Sequence, residues 1–189
     1  ISGSGTVNGS LTDGSSTVIQ PGGAGTAGTL TITTNLSLNG NGSLAIDLAN
    51  TTGSGNDKIV VGGNLTLSFG NPTPVNFNFL NGAPALGTPY TLIQCGSITG
   101  TASATLTNAA ASRYTTTFSQ VGNSIVVTFT GSASNLVWTG TDPLTPATWD
   151  VAASTNWFDG SAGNVFYQLD PVRFDDTSAN TTVALNSTV

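Results

Sequence analysis

Hydrophobic and polar positions alternate in short runs over residues 1–130. In residues 44–48, for example, Leu44, Ile46 and Leu48 alternate with Ala and Asp. Successive side chains of a β-strand point to opposite faces of its sheet, so this two-residue period predicts half-buried strands. The same pattern occurs at 30–32, 36–38, 59–61, 65–69, 75–79, 90–92 and 125–129. We predict many short strands and almost no helix, because Gly, Asn and β-branched residues fill every window.

Clusters of Gly, Asn and Pro separate the predicted strands. They include Pro21-Gly22-Gly23, Asn39-Gly40-Asn41-Gly42, Gly53-Ser54-Gly55-Asn56, Gly62-Gly63 and Asn81-Gly82. Gly adopts positive φ at little steric cost, and Asn tolerates it better than most residues. We therefore expect short turns between the strands.

A weak internal repeat indicates how the strands stack. Asn35-Leu36-Ser37-Leu38 is similar to Asn64-Leu65-Thr66-Leu67 further along the chain, and each segment follows an alternating strand and a turn. Strand units that stack on their neighbours form a solenoid, with about 20–30 residues in each repeat. We predict an all-β fold, a parallel β-helix or β-solenoid of roughly five coils with a Trp-containing, β-rich C-terminal segment. A β-sandwich is the alternative, because it produces the same alternation.

The composition changes near residue 131. Gly131-Ser132-Ala133-Ser134 is typical of a short linker, and all three Trp residues and six of the nine Asp residues lie beyond it. We therefore assign residues 1–134 to the solenoid region. Residues 135–189 form a Trp- and Asp-rich β segment that opens a further unit or mediates assembly.

Composition narrows the classes of function. Thr, Gly, Ser and Asn account for 94 of the 189 residues, and the chain has no His, Met or Glu. Ser-His-Asp triads and His-based zinc sites are therefore excluded, and we expect a non-catalytic protein without a cofactor. The net charge of -6 argues against nucleic-acid binding, and no apolar run is long enough for membrane insertion. Few Lys and Cys with abundant Thr, Asn and Gly favour an extracellular or cell-surface location.

Several segments together resemble one known family. They are Gly28-Thr29-Leu30-Thr31-Ile32, Asn35-Leu36-Ser37-Leu38, residues 42–48, residues 56–67, Tyr90-Thr91-Leu92-Ile93, Val137-Trp138-Thr139-Gly140, Asn156-Trp157 and Phe174-Asp175-Asp176. In this order they resemble the autotransporter-associated β-strand repeat family. The resemblance implies a right-handed parallel β-helix in a long, secreted or surface-displayed bacterial protein, and it implies no catalytic residues. The Pro-rich residues 71–89 match nothing in the family pattern.

Lys58 beside Asp57 is one candidate for catalytic chemistry. A β-helical polysaccharide lyase uses a cation to neutralise a uronate and a base to remove its α-proton. Such sites gather several basic residues, whereas this chain adds only Arg113 and Arg173, which lie far away in the sequence. We interpret Asp57 and Lys58 as a solvated turn pair.

Asp170, Asp175 and Asp176, with Asn180 nearby, are the candidate metal ligands. Their oxygens could bind a structural Ca²⁺, which tolerates irregular carboxylate and carbonyl geometry. The chain has neither EF-hand spacing nor a glycine-rich calcium repeat. Asp and Asn are also ordinary turn residues, and we favour that interpretation.

Trp138, Trp149 and Trp157 are the candidate glycan contacts. Exposed and coplanar indole rings stack on sugars, whereas buried rings anchor a small β-layer. We favour core packing and keep a carbohydrate-binding module with a Trp-rich platform as the alternative function. Cys95 has no His partner anywhere in the chain and is expected to be a small buried residue.

These observations predict a structural or adhesive protein. An open solenoid end exposes unpaired strand edges that accept a further strand. Residues 1–5 resemble coil sequence and residues 181–185 resemble a strand, so we expect head-to-tail self-association into a filament. Glycans are the second expected partner.

Overall fold

A computed structural model describes residues 1–108 and 111–186 of the chain. These residues form two compact units. The N-terminal unit contains residues 1–108 and 116–130, and the C-terminal unit contains residues 111–115 and 131–186. The boundary predicted from the sequence follows residue 134, whereas residues 111–115 and 131–134 belong to the C-terminal unit.

The N-terminal unit is built from short strands and one helical turn. In chain order these are β1 (Gly5–Val7), β2 (Leu11–Thr12), β3 (Val18–Ile19), β4 (Thr29–Ile32), β5 (Leu36–Leu38), β6 (Ser43–Leu48), β7 (Lys58–Leu67), β8 (Thr73–Phe79), β9 (Tyr90–Thr99), α1 (Ala102–Thr105), β10 (Leu106–Asn108), β11 (Tyr114–Val121) and β12 (Ser124–Gly131). The described part of the chain is thus nearly all β, as predicted.

The first ten strands form four consecutive strand sets, and each strand pairs in parallel with its counterpart in the next set. The strand sets are β1–β3, β4–β6, β7–β8 and β9–β10. Val7 of the first set lies beside Ile32 of the second, and Leu36 of the second lies beside Leu65 of the third. The second pairing aligns the two similar segments found in the sequence, which confirms that they stack on one another.

Parallel register produces a core of aliphatic columns. Each inward position lies beside the corresponding position of the next strand set, so apolar side chains of similar kind stack on one another. Two columns are Ile32-Val61-Cys95 and Ile19-Leu44-Val75, and all six residues are buried. The alternation read from the sequence therefore identifies the buried face of these strands.

The chain reverses its direction after the fourth strand set. Strand β12 pairs antiparallel with β9, with Ile125 beside Ile93. A two-residue turn, Gly122-Asn123, joins β11 to β12, and such a short connection requires antiparallel neighbours. In this sheet, parallel pairing therefore extends over four strands, β1-β4-β7-β9. We predicted roughly five coils, but residues 114–131 form a hairpin instead.

Aromatic rings pack where this hairpin meets the last strand sets. The ring of Phe129 lies 5.1 Å from Phe77, 5.4 Å from Phe79 and 5.7 Å from Tyr90, with each pair edge to face. Phe118 of the hairpin lies 6.1 Å from Phe77. Aromatic rings thus replace aliphatic side chains in the core at this end of the unit. Two of these rings belong to β8, which lies within residues 71–89, the segment that does not resemble the family pattern.

The C-terminal unit has shorter strands and a separate core. Its strands are β13 (Leu136–Trp138), β14 (Thr148–Trp149), β15 (Trp157–Phe158), β16 (Gly163–Asn164), β17 (Val172–Arg173) and β18 (Ala184–Leu185). They form a four-stranded sheet, β16-β15-β13-β17, and a two-stranded sheet, β14-β18. No sheet in the described ranges closes on itself. Within those ranges, no helix is both long and apolar enough to cross a membrane.

Candidate functional site

Three buried aspartates bind the turns of the N-terminal unit. Asp13, Asp47 and Asp57 are at most 3% exposed. Asp13 follows β2, and its carboxylate accepts hydrogen bonds from the backbone N–H groups of Asn39 (2.6 Å) and Gly42 (3.3 Å) in the next strand set. The carboxylate therefore satisfies amides at a turn where the backbone has no strand partner.

Asp47 and Asp57 meet at a second turn, which we call the Asp47/Asp57 corner. Asp57 accepts hydrogen bonds from the backbone N–H groups of Gly28 (2.7 Å) and Asp47 (2.8 Å). Asp47 accepts one from the Thr26 N–H (2.8 Å) and one from the side-chain amide of Asn78 (2.7 Å). This corner thus connects strand set β4–β6, and the turn that precedes it, with strand set β7–β8 through two carboxylates.

The environment of Asp57 favours its neutral form. Burial raises the pKa of Asp57 from 3.8 to about 6, the two backbone hydrogen bonds oppose the rise, and the neighbouring Asp47 carboxylate adds to it. Burial dominates because a carboxylate loses its hydration inside the fold.

The predicted pair Asp57 and Lys58 faces a small groove of about 190 Å³ that Asn56 and Thr91 also line. Both oxygens of Asp57 already accept backbone hydrogen bonds. The two arginines that could have completed a cationic cluster, Arg113 and Arg173, belong to the other unit. The sequence interpretation of a solvated pair is wrong for Asp57, which is buried.

Asn35 and Asn64 form a ladder of polar contacts from just before β5 across β7 to β9. The Asn64 N–H donates to Oδ1 of Asn35 (2.8 Å), and Oδ1 of Asn64 accepts from the hydroxyls of Ser97 (2.9 Å) and Thr99 (3.3 Å). Backbones approach closely here, since a Cβ added to Gly63 would lie 2.8 Å from the backbone carbonyl oxygen of Thr34. Sequence reasoning noted the Asn35 and Asn64 segments as a repeat but did not assign the ladder to them.

The three tryptophans lie in the core of the C-terminal unit. Trp138 and Trp157 are each 1% exposed, and their ring centroids are 5.1 Å apart at an interplanar angle of 80°. Trp149 is half-buried and lies 5.0 Å from Trp157. Sugar stacking requires an open ring face. Burial of Trp138 and Trp157, with rings edge to face rather than coplanar, leaves no such face on either residue.

Polar contacts hold the tryptophan cluster in place. Nε1 of Trp138 donates to the backbone carbonyl of Asn180 (2.7 Å). Asn156 is fully buried, and its side-chain amide donates to the carbonyls of Thr145 and Thr148. Buried amides and indoles need such partners. Asn180, a candidate calcium ligand, thus contributes its backbone to the core.

Arg113 and Asp170 form the main ion pair of the C-terminal unit. Nε of Arg113 lies 2.7 and 2.8 Å from the two carboxylate oxygens, and the Asp170 side chain is fully buried. Asp170 also accepts hydrogen bonds from the N–H groups of Ser134 and Tyr167, and the guanidinium lies 4.9 Å from the Tyr167 ring centroid. The carboxylate of this candidate calcium ligand is therefore engaged by an arginine and two backbone amides.

Asp175, another of the candidate calcium ligands, has partners of its own. Asp175 accepts from the N–H and hydroxyl of Thr177 and pairs with exposed Arg173 at 3.1 Å. These hydrogen bonds, chiefly the one from the Thr177 hydroxyl, lower the pKa of Asp175. No group of three or more acidic, His or Cys side chains in the described residues could hold a metal ion.

Cys95 belongs to the aliphatic core of the N-terminal unit. It is 8% exposed, its Sγ donates to the Asn123 carbonyl at 3.2 Å, and burial raises the pKa of the thiol. A raised pKa keeps the thiol protonated and unreactive. The expectation of a small buried residue is confirmed.

Comparison of the chain with family models, curated proteins and solved structures found no match. The resemblance to the autotransporter-associated β-strand repeat family therefore stays a prediction that rests on the quoted segments alone.

Proposed function

We propose that the chain is a non-catalytic structural segment of an extracellular or cell-surface protein, and that its N-terminal unit is a parallel β-solenoid. One observation carries the proposal: four consecutive strand sets pair in parallel and place similar residues side by side. Each strand set buries its apolar face mainly by stacking on the next, which is the principle of a repeat scaffold.

The strand directions favour a solenoid over a β-sandwich. Sandwiches consist of antiparallel sheets with Greek-key connections. In the N-terminal unit, β3-β6-β8-β10 is parallel throughout, and antiparallel pairing begins only with the hairpin of β11 and β12.

The polar chemistry of the unit also supports a structural role. The buried carboxylates of Asp13, Asp47 and Asp57 accept hydrogen bonds from amides of neighbouring turns. Oδ1 of Asn35 likewise accepts from a backbone N–H, and Oδ1 of Asn64 accepts from two hydroxyls of the next strand set. These contacts fix one strand set on another, which is the property that a scaffold for display or adhesion requires.

Self-association is the second part of the proposal. Strands β1 and β11 lie at the two ends of the strand order β1-β4-β7-β9-β12-β11 in one sheet. Since β12 is antiparallel to β9 and to β11, strand β11 runs in the same direction as β1. A second copy added by translation would therefore continue the sheet with matching polarity. The sequence predicted that residues 181–185 would join one copy to the next. In the structure this segment contains β18, which already pairs with β14 of its own unit, so the proposed contact uses β1 and β11 instead.

Disulfide cross-linking tests the solenoid. In a Cys95→Ala background, the pairs Thr6→Cys with Thr31→Cys and Thr31→Cys with Val60→Cys occupy adjacent register positions. Each should form an intrachain disulfide, because neighbouring strands lie about 4.8 Å apart. The matched control, Thr6→Cys with Val60→Cys, spans two strand spacings and should stay reduced. Failure of both adjacent pairs would refute the proposed stacking.

Two further measurements test the function. Light scattering and electron microscopy over rising concentration should show oligomers or filaments, and a Thr6→Pro substitution on the outer strand β1 should reduce them. A monomer at every concentration would refute self-association but not the scaffold. Cleavage of a polyuronate that is lost in Lys58→Ala would refute the non-catalytic role.

A further inference from the structure

The Asp47/Asp57 corner places two carboxylates inside the N-terminal unit without a cationic partner. Asp47 is 2% exposed and Asp57 is fully buried. All four hydrogen bonds recorded for their oxygens come from uncharged donors, namely three backbone N–H groups and the Asn78 amide. By contrast, the buried Asp170 has Arg113. Two like charges that share a buried site are unfavourable unless one of them takes a proton.

The surroundings contain little that could neutralise this pair. Lys58 on β7 is the adjacent cation, and the structure records no ion pair between it and either carboxylate within residues 1–108 and 111–186. The strands paired with β6 and β7 add the side chains of Tyr90 and Cys95, a phenol and a thiol, neither of which can carry a positive charge. Asp13 serves a different turn, with Asn39 and Gly42.

We propose that the Asp47/Asp57 corner is a proton-binding site that makes the N-terminal unit more resistant to unfolding in mild acid than at neutral pH. This inference concerns a property of the fold and does not depend on self-association. The bound proton removes one of the two negative charges from the interior. Neutral Asp57 still accepts a backbone hydrogen bond at its carbonyl oxygen, so one of its two contacts keeps its strength while the contact at the protonated oxygen weakens.

The direction of the effect follows from proton linkage. The folded chain binds the proton of Asp57 with a pKa of about 6, whereas the aspartate of the unfolded chain has the ordinary pKa of 3.8. Between these values the folded state holds more protons than the unfolded state, so stability rises as the pH falls. The gain begins near pH 6 and is complete near pH 4, below which Asp57 adds no further change.

A carboxyl ¹³C titration of the wild-type chain is the primary test. The Asp57 resonance should titrate with a midpoint between pH 5 and 7, about 2 units above an ordinary aspartate. In Asp47→Asn the midpoint should fall, because a like charge is removed, yet stay raised, because burial is the larger cause. A wild-type midpoint near pH 4 would overturn the proposal.

Stability against pH provides a second, independent readout. At pH 5, unfolding of the wild-type N-terminal unit should release nearly one proton from Asp57, measured as the slope of unfolding free energy with pH. Asp57→Asn should lose this slope between pH 4 and 6. The matched control Asp13→Asn, which alters another buried carboxylate with two amide donors, should keep it. Both variants lose an acceptor and are weakened at every pH, so the slope and not the absolute stability decides. Equal slopes in the two variants would overturn the proposal.

Discussion

In the N-terminal unit the core consists of aliphatic columns that several strand sets share, whereas in the C-terminal unit it is one cluster of aromatic rings. Ile19, Leu44 and Val75 occupy equivalent positions on successive strands. Trp138 and Trp157 have no such equivalents, and the strands that carry them are two or three residues long. A repeated core spreads its buried area over many similar residues, and a single cluster depends on a few large ones.

The two units also satisfy their buried polar groups differently. The N-terminal unit uses carboxylates and amides that accept from backbone N–H groups of another strand set. The C-terminal unit relies on the ion pair of Arg113 and Asp170, which connects residues 57 positions apart. A repeated fold therefore tolerates the loss of one contact better than a small non-repeating fold does. The substitutions below test this difference.

The largest expected effect is in the tryptophan cluster. Trp157→Ala removes a fully buried ring that contacts Trp138, Trp149 and Phe166, and it should destabilise the C-terminal unit by about 3–5 kcal/mol. Fluorescence of the remaining tryptophans during chemical denaturation measures this unit alone, since all three tryptophans belong to it.

The neighbouring Phe158 supplies the control for this substitution, because its side chain is 38% exposed. Phe158→Ala should cost about 1 kcal/mol, the usual loss for a single substitution outside a core. The same denaturation curves compare the two variants. Equal losses would show that the rings do not form the core.

A slightly smaller effect is expected at the buried ion pair. Asp170→Asn leaves the Arg113 guanidinium without a charge partner and should cost about 3 kcal/mol of unfolding free energy. Asp175→Asn alters the solvent-screened pair with Arg173 and should change the unfolding free energy much less. Tryptophan fluorescence again measures both variants. If Asp170→Asn matches Asp175→Asn, the C-terminal unit does not depend on this ion pair.

The smallest effect is expected in the N-terminal unit. A Cβ added at Gly62 would overlap the carbonyl oxygen of Thr33 on the neighbouring chain segment, whereas Gly53 has open space around it. Gly62→Ala should therefore cost about 1–3 kcal/mol, and Gly53→Ala should be nearly neutral. Hydrogen exchange should show faster exchange in the strands next to Gly62, with the distant strand sets unchanged. Faster exchange throughout the unit would mean that the strand sets unfold as one block.

The repeated part of the fold could be predicted from the sequence because its signals are local. Alternation identifies the buried residues of β4 to β7, and the similarity of the Asn35 and Asn64 segments gives the actual register of two strands. The same reasoning could not predict the Arg113–Asp170 ion pair, because neither alternation nor the internal repeat relates two residues so far apart in the sequence. Strands of two residues, such as Trp157–Phe158, are too short to show alternation at all.

The candidate site was predictable only in part. Composition alone indicates a chain poor in catalytic side chains, but it does not distinguish a solvated Asp57 from a buried one. Burial of Asp57 depends on Gly28 and Asp47, which reach it from another strand set. Likewise, three tryptophans that lie close together in the sequence are consistent with either a sugar platform or a core. Only the packing of Trp157 against Trp138 and Phe166 distinguishes the two.

The separation along the chain between paired residues increases through the N-terminal unit while the pairing persists. Gly5 lies beside Leu30 at the start of the unit, whereas Ile59 lies beside the more distant Ile93 further along. The extra residues fall in the connections, and lengthening a loop adds little closure entropy. In this fold the strand register therefore does not depend on the length of the connecting loops. A lineage of such chains can diversify the exposed turns around 50–55 and 80–89, and so vary the surface presented to other molecules, without rebuilding the core.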